Sequence, residues 1–424
     1  MSSVDSVLPY DIIAQIIDNV GENNDISLIK DLALVSHSFN QICSKYLFAT
    51  VNLYDDVPMR HGSSKKGFVK LLKKGPEVVK YIRKLTYKVE YDGRFQSSPF
   101  ASTYPCFDYD DNLLSPILPN FLRTISFLNC LTITASKMVD WNTVDSSLTS
   151  ALLHLVHLPT INHIDLSSIE NFPLFSLTSS VNLRRLDIFN LSIEEEDFPE
   201  EIVVLSETMP KIREFHTSGC SVLTTKLLHA ERVQDGQPAF NFLDLRRLSI
   251  FLTCPEDESN FRYLLQNATL LEKLHLSVAY DGSFVGLHDV LSPSARTLKD
   301  LDLTVYLTSF PRPVAGLCEE LEAMAAAGHN NNNNNMVEAL SCEFIADGGS
   351  ETEDLIGSII QKVEEALVKP GWSALRRVSF EVSIPVWRDS EKGLTEALQS
   401  LPDKYLSHLP KLESVAFNYE CCYY

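Results

Sequence analysis

Residue types able to do chemistry occur along the chain, but not at the spacings chemistry needs. His154 and His157 stand three apart in an apolar run beside Leu153 and Leu155. A zinc site takes three or four protein ligands, and no further ligand stands beside these two, so they read as ordinary core or surface histidines. Asp108, Asp110 and Asp111 resemble a fragment of a calcium loop, but the glycine and the closing glutamate of such a loop are missing. The acidic clusters Glu194–Asp197 and Glu256–Glu258 read as solvated turns. No GxGxxG, GxxxxGK(S/T), GxSxG or HExxH occurs. The expectation is a chain that is not an enzyme and binds no cofactor or metal.

The elements that would carry any binding surface belong to an ordered protein. Of 424 residues, 45% are hydrophobic and 22% charged, far from the composition of disorder. That length exceeds one compact core and suggests several domains or a repeat array. A formal net charge of -20 argues against nucleic acid or an anionic membrane as partner, since both need a basic footprint. No run of 18 apolar residues occurs, so no membrane-spanning helix is expected. The N-terminus carries acidic residues where a secretory signal would be basic. Nine cysteines without a CxxC pair read as reduced thiols in cytoplasm or nucleus.

The first fifty residues hold three helical patterns. Leu8 and Pro9 precede Ile12, Ile13, Ile16, Ile17 and Val20, with Gly21 as a stop. Asp25 is placed to cap a second helix with Ile26, Leu28, Ile29, Leu32 and Val35. Ser36 or Ser38 is placed to cap a third with Phe39, Ile42, Cys43, Tyr46, Leu47 and Phe48. So short a piece is near the lower limit for folding alone, and its apolar surplus must be covered by the rest of the chain or by a partner.

Leu8-Pro9-Tyr10-Asp11-Ile12-Ile13, then Ile16, then Leu32-Ala33-Leu34-Val35-Ser36 and Phe39 resemble an F-box, over about 45 of 424 residues. Asp11, His37 and Phe39 stand where that family more often has Glu, a basic residue and Trp. The resemblance implies docking to a Skp-type adaptor, and through it a cullin, by Leu8, Pro9, Ile12, Ile13, Ile16, Val35 and Phe39. The module spans residues 5–50. A basic linking segment follows at 51–80; from Arg60 to Arg94 there are eleven Lys or Arg and three Asp or Glu, a local +8. That run reads either as the solvated face of a linking helix or as an electrostatic dock for an acidic partner.

From residue 81 to 424 one pattern recurs eleven times: apolar-x-x-apolar-x-apolar. Its middle residues are Leu85, Ile125, Ile164, Leu186, Phe215, Leu248, Leu274, Leu301, Leu340, Val378 and Val415. The residue between the last two apolar positions is polar in ten of eleven cases, among them Asp187, His216, His275 and Asp302. Alternation of this kind marks a strand with one buried face. Amphipathic stretches suited to helices lie between, as at 147–156, 260–266, 317–326, 354–368 and 392–400. Insertion loops are expected at about 92–120 and 328–336, the second containing a run of six Asn. Four of the ten spacings fall in the 20–29 residues of leucine-rich repeats, which the segment resembles. The Asn or Cys that family places after the strand is matched at Cys130 and Cys220.

The fold class expected is therefore α/β: a three-helix F-box-like module followed by an irregular leucine-rich-repeat-like solenoid with a parallel sheet. The two resemblances together imply a substrate-recognition subunit of a cullin–RING ubiquitin ligase. Asp187, Phe189, His216, Phe251, His275 and Asp302 are its candidates for contacting an unknown protein substrate. The alternative is an interaction scaffold unrelated to ubiquitin, in which the N-terminal helices cap the solenoid.

Overall fold

The computed structural model describes residues 9–23, 25–54, 64–89, 117–193, 209–232, 235–279, 284–307, 316–330, 335–346, 352–384, 392–412 and 414–423. The chain is α/β with parallel strands, and it divides into two compact units. One takes in the described residues up to Leu183 together with 191–193. The other takes in 184–190 and the described residues from Met209 onward.

The first unit opens with three helices, α1 (Tyr10–Glu22), α2 (Ile26–Ala33) and α3 (His37–Leu47). Asp25 Oδ1 accepts from Leu28 N at 3.0 Å and Ser36 Oγ from Phe39 N at 3.3 Å, so each later helix starts on a side-chain cap. Ile17, Ile29, Ala33, Ile42 and Cys43 form a small buried core. Gly21, expected as a helix stop, is the penultimate residue of α1 and is buried. The ring of Tyr46 lies where a Cβ would stand. Tyr46 Oη donates to Asp18 Oδ1 at 3.0 Å, and Lys45 Nζ lies 2.6 Å from the same oxygen, tying α3 to α1.

Four strands follow in this unit: β1 (Thr50–Leu53), β2 (Lys84–Val89), β3 (Cys130–Asp140) and β4 (His163–Glu170), each parallel to the next in chain order. The strand array thus begins at Thr50, the last residue of the expected module, and runs into the segment expected to be a linker. Its helices are α4 (Ser64–Lys74), α5 (Ile117–Leu122) and α6 (Ser146–Val156). α5 includes the last residues of the loop expected at 92–120; residues 92–116 lie outside the described set. The strand expected around Ile125 is displaced. Leu128-x-x-Leu131-x-Ile133 carries the same pattern, and it is Leu131 and Ile133 that stand in register with Leu85 and Tyr87 and with Ile164 and Leu166. Cys130, expected to follow a strand, therefore opens one.

The second unit continues with eight parallel strands in chain order. They are β5 (Arg185–Phe189), β6 (Glu214–Ser218), β7 (Arg247–Leu252), β8 (Lys273–Val278), β9 (Asp300–Leu307), β10 (Ala339–Ala346), β11 (Arg377–Ile384) and β12 (Ala416–Tyr423). Between them lie α7 (Ser221–His229), α8 (Pro255–Asn267), α9 (Leu287–Leu291), α10 (Leu317–Asn330), α11 (Thr352–Leu367), α12 (Lys392–Gln399) and α13 (Leu401–Tyr405). The inward residues from Leu186 and Ile188 through Val378 and Phe380 are buried, as alternation requires. Thr217, the polar exception, shares a hydrogen bond of 3.1 Å with Thr224 on α7. Of the Asn run, residues 331–334 are outside the described set, but Asn335 is buried, not looped into solvent, and its Oδ1 accepts from Val337 N at 3.1 Å.

Carboxylates on helices fasten neighbouring loops in this unit. Glu320 of α10 accepts from Gly286 N at 2.6 Å and His288 N at 2.7 Å, at the start of α9. Glu364 of α11 is 1% exposed and accepts from the backbone N–H of Ser407, His408 and Leu409 at 2.8–3.1 Å. A buried charge is tolerated where donors converge on it in this way.

Candidate protein-interaction surfaces

The three helices bury less apolar surface than they carry. Ile12 and Ile16, one turn apart on α1, are exposed, as are Ile26 and Leu28 on α2. The turn joining α2 to α3 holds the extreme cases, Leu34 at 85% and Val35 at 65% exposure. That turn is not loose: Leu34 N donates to Asp31 O and Val35 N to Leu32 O, both at 3.1 Å. Covering these two side chains alone would contribute about 3 kcal/mol before association costs.

Of the residues expected to dock an adaptor, Ile12, Ile16 and Val35 are outward, and Pro9 is exposed at the start of α1 with its carbonyl accepting from Ile12 N at 3.0 Å. Ile13 and Phe39 instead pack, half-buried, against the helical core. Leu8 lies outside the described residues. Leu34, Ile26 and Leu28 were not among the expected contacts. Exposed aliphatic residues beside a helix cap are read from sequence as part of the helix pattern, and their exposure emerges only once three helices choose their faces.

The outward face of the second unit's strands is polar, and register puts the expected residues in one row. Asp187, His216, Ser249, His275 and Asp302 are successive partners across β5 to β9. Asp187 is nearly buried. Arg185 Nε donates to both its oxygens at 3.0 and 3.2 Å, and His216 Nδ1 lies 3.3 Å from Oδ1. Glu214 sits between Arg185 at 3.5 Å and Arg247 at 3.3 Å. Lys273 pairs with Asp302 at 2.9 Å, and His275 Nε2 is 3.1 Å from Ser277 Oγ. Arg377 reaches Asp300 at 3.7 Å across the intervening strand, where the in-register residue is the small Ala339. This face is a network of paired charges, a surface suited to polar recognition.

Phe189 and Phe251 stand in the next outward row with Ser218 between them. Both are half-buried. Phe251 packs against Tyr306, ring centroids 5.3 Å apart, an aromatic pair of the kind that anchors interfaces. Tyr306 was missed because it lies beyond the apolar triplet of its strand. The same outward row ends in Glu343, Glu381 and Glu420, in register on β10, β11 and β12. Neutral donors reach two of them: Thr304 and Ser383 hydroxyls donate to Glu343 at 3.1 Å, and the Ser383 hydroxyl lies 3.4 Å from Glu381. Burial, and then Glu381, push the Cys422 thiol up to about 11.

The basic segment is divided in its behaviour. Lys65 is buried with its ammonium 4.8 Å from the Tyr87 ring centroid. Lys70, Lys73 and Lys74 on α4 are exposed. Arg83 lies over the exposed Phe127 ring at 5.4 Å. Arg60 and Arg94 fall outside the described residues.

His154 lies on α6 and His157 ends it; among the described residues no group of three or more His, Cys, Asp or Glu is placed to hold a metal. No helix among the described residues is long and apolar enough to cross a membrane. The chain matches no protein-family model and no curated protein sequence.

Proposed function

We propose that the chain is a substrate-recognition subunit of an SCF-type cullin–RING ubiquitin ligase, working in cytoplasm or nucleus. In this reading α1–α3 are an F-box that docks on a Skp-type adaptor, and the strand array is a leucine-rich-repeat-like solenoid whose outward face takes a protein substrate. Ubiquitin transfer takes place on other subunits, and this chain supplies proximity and orientation. The observation that carries the reading is the exposed aliphatic set Ile12, Ile16, Leu34 and Val35 on a three-helix module, in a segment that resembles an F-box. An aliphatic surface on so small a module supports a partner that covers it.

The test is calorimetric titration of the full chain with a purified Skp-type adaptor. Wild type is expected to bind, and Leu34→Asp/Val35→Asp to bind at least about 100-fold more weakly, which is the loss of about 3 kcal/mol, with an unchanged melting temperature. Absence of wild-type binding would overturn the ligase reading in favour of a scaffold whose helices cap the solenoid.

A further inference from the structure

Eight free cysteines lie among the described residues, and their surroundings set one apart from six others. Burial pushes the Cys43 and Cys342 thiols up. Burial and then Glu319 push Cys318 up to about 11, and Cys422 is held at about 11 by burial and then Glu381. Cys220 donates to the Ser218 carbonyl at 3.2 Å, and Cys254 lies 3.5 Å from a carboxylate oxygen of Asp257. A thiol facing apolar walls or carboxylates is a poor nucleophile, since the thiolate attacks.

Cys130 stands apart from these six. It opens β3 half-exposed on the outward face, in register with Lys84 on β2 and His163 on β4. Its Sγ lies 3.2 Å from His163 Nδ1. The backbone holds both members: Cys130 N donates to Arg83 O at 3.1 Å and His163 N to Asn129 O at 3.1 Å. Charged residues on the same strands include Lys84, in register with Cys130, and Asp165, two residues beyond His163, which accepts from Thr132 Oγ1 at 3.4 Å; the Arg83 guanidinium, next to Lys84 in the chain, lies over Phe127. Nucleophile and base within hydrogen-bond reach, on rigid neighbouring strands, is the arrangement that activates a thiol.

We propose that Cys130 is a nucleophilic thiol activated by His163, and a modification site for small, soft carbon electrophiles of the α,β-unsaturated carbonyl class. With the His163 tautomer protonated at Nε2, Nδ1 accepts the thiol proton. The sulfur pair forms an S–C bond at the β-carbon, and the π pair moves onto the α-carbon and carbonyl as an enolate. The imidazolium then returns the proton to the α-carbon. Nothing is oxidised and no group leaves. This inference is independent of the ligase reading.

The test is site-resolved labelling of the full chain with limiting N-ethylmaleimide, itself of this class, at neutral pH. Adduct growth at each cysteine is followed by peptide mass spectrometry. Cys130 is expected to react at least about tenfold faster than Cys318 and Cys422, because the thiolate fraction falls tenfold per pH unit below a thiol's pKa and is offset only in part by higher basicity. It is also expected to outpace Cys254, which is equally half-exposed but faces a carboxylate. His163→Gln should slow Cys130 by at least about threefold and leave the rates at Cys254 and Cys422 unchanged. Equal wild-type rates at Cys130 and Cys254, or an unchanged Cys130 rate in His163→Gln, would overturn the proposal. If His163→Gln unfolds, seen as fast labelling of the buried Cys43, the wild-type ratio of Cys130 to Cys254 decides.

Discussion

Glu364 lets the energetics of this fold be tested at one side chain. Its Oε1 accepts from Ser407 N at 3.1 Å, His408 N at 2.8 Å and Leu409 N at 2.8 Å, while Oε2 accepts from Ser407 N at 3.1 Å. Glu364→Ala would strip acceptors from three N–H groups. Leu409 is wholly buried, so its N–H has no access to water, whereas exposed His408 admits solvent nearby. A buried orphan donor costs about 1–3 kcal/mol, and partly rescued ones less, so the loss should be about 2–4 kcal/mol. Glu364→Gln keeps one acceptor oxygen but sets an NH2 against Ser407 N–H and removes the charge, for a loss of about 1–2 kcal/mol.

Burial pushes the Glu364 carboxyl up, but the N–H groups of Leu409, Ser407 and His408 more than offset it and hold the carboxyl below its ordinary value. The folded pKa is therefore depressed. Its stabilisation is fully present above the unfolded glutamate value of about 4.3 and is lost as pH falls through the lower folded value. The assay is amide hydrogen exchange over residues 407–409. At neutral pH, Glu364→Ala should speed exchange there by about 30- to 900-fold, at tenfold per 1.36 kcal/mol, with little change in α1–α3. Unaltered exchange at 407–409 would refute the reasoning.

Other expectations follow from the same structure. Gly21→Ala drives a methyl into the Tyr46 ring, which its bond to Asp18 holds in place, and should lower stability in urea by about 1–3 kcal/mol. Glu381→Gln removes the central charge of the Glu343–Glu381–Glu420 row; it should raise the stability measured by urea unfolding by about 0.2–1 kcal/mol at low salt, a gain that shrinks in 1 M salt. Asp187→Asn leaves Arg185 and His216 without their nearly buried carboxylate and should cost about 2–3 kcal/mol, seen as a lower urea midpoint at an unchanged slope.

Strand existence was legible because burial alternates, and nine of the eleven repeats fall on observed strands in the expected register; in the last, Val415 lies outside β12, and Phe417 and Tyr419 stand in register with Val378 and Phe380. The failures have physical causes. Leu122–Phe127 and Leu128–Ile133 carry the same pattern, so alternation alone could not choose between them; in the structure Leu122 ends α5 and Phe127 stays exposed under Arg83. β1 carries the pattern too, as Phe48-x-x-Val51-x-Leu53, but it straddles the join between the expected third helix, which claims Phe48, and the expected linker. Asp187, His216, His275 and Asp302 could be assigned to one face from alternation. Their pairing with Arg185 and Lys273, and Asp300 with Arg377 77 residues away, needed the register of distant strands. Glu364 left a signal that was overlooked: it follows Ile360 by four and precedes Leu367 by three, on the apolar stripe of α11, where an acidic residue calls for an internal donor set.

The central claim is that α1–α3 are covered by an adaptor. Hydrogen exchange of the full chain, with and without saturating Skp-type adaptor, tests it most directly. Slowed exchange is expected in α1 and at the Leu34–Val35 turn, with exchange in β5 to β12 unaltered. No change in those helices, or protection confined to the strands, would contradict it.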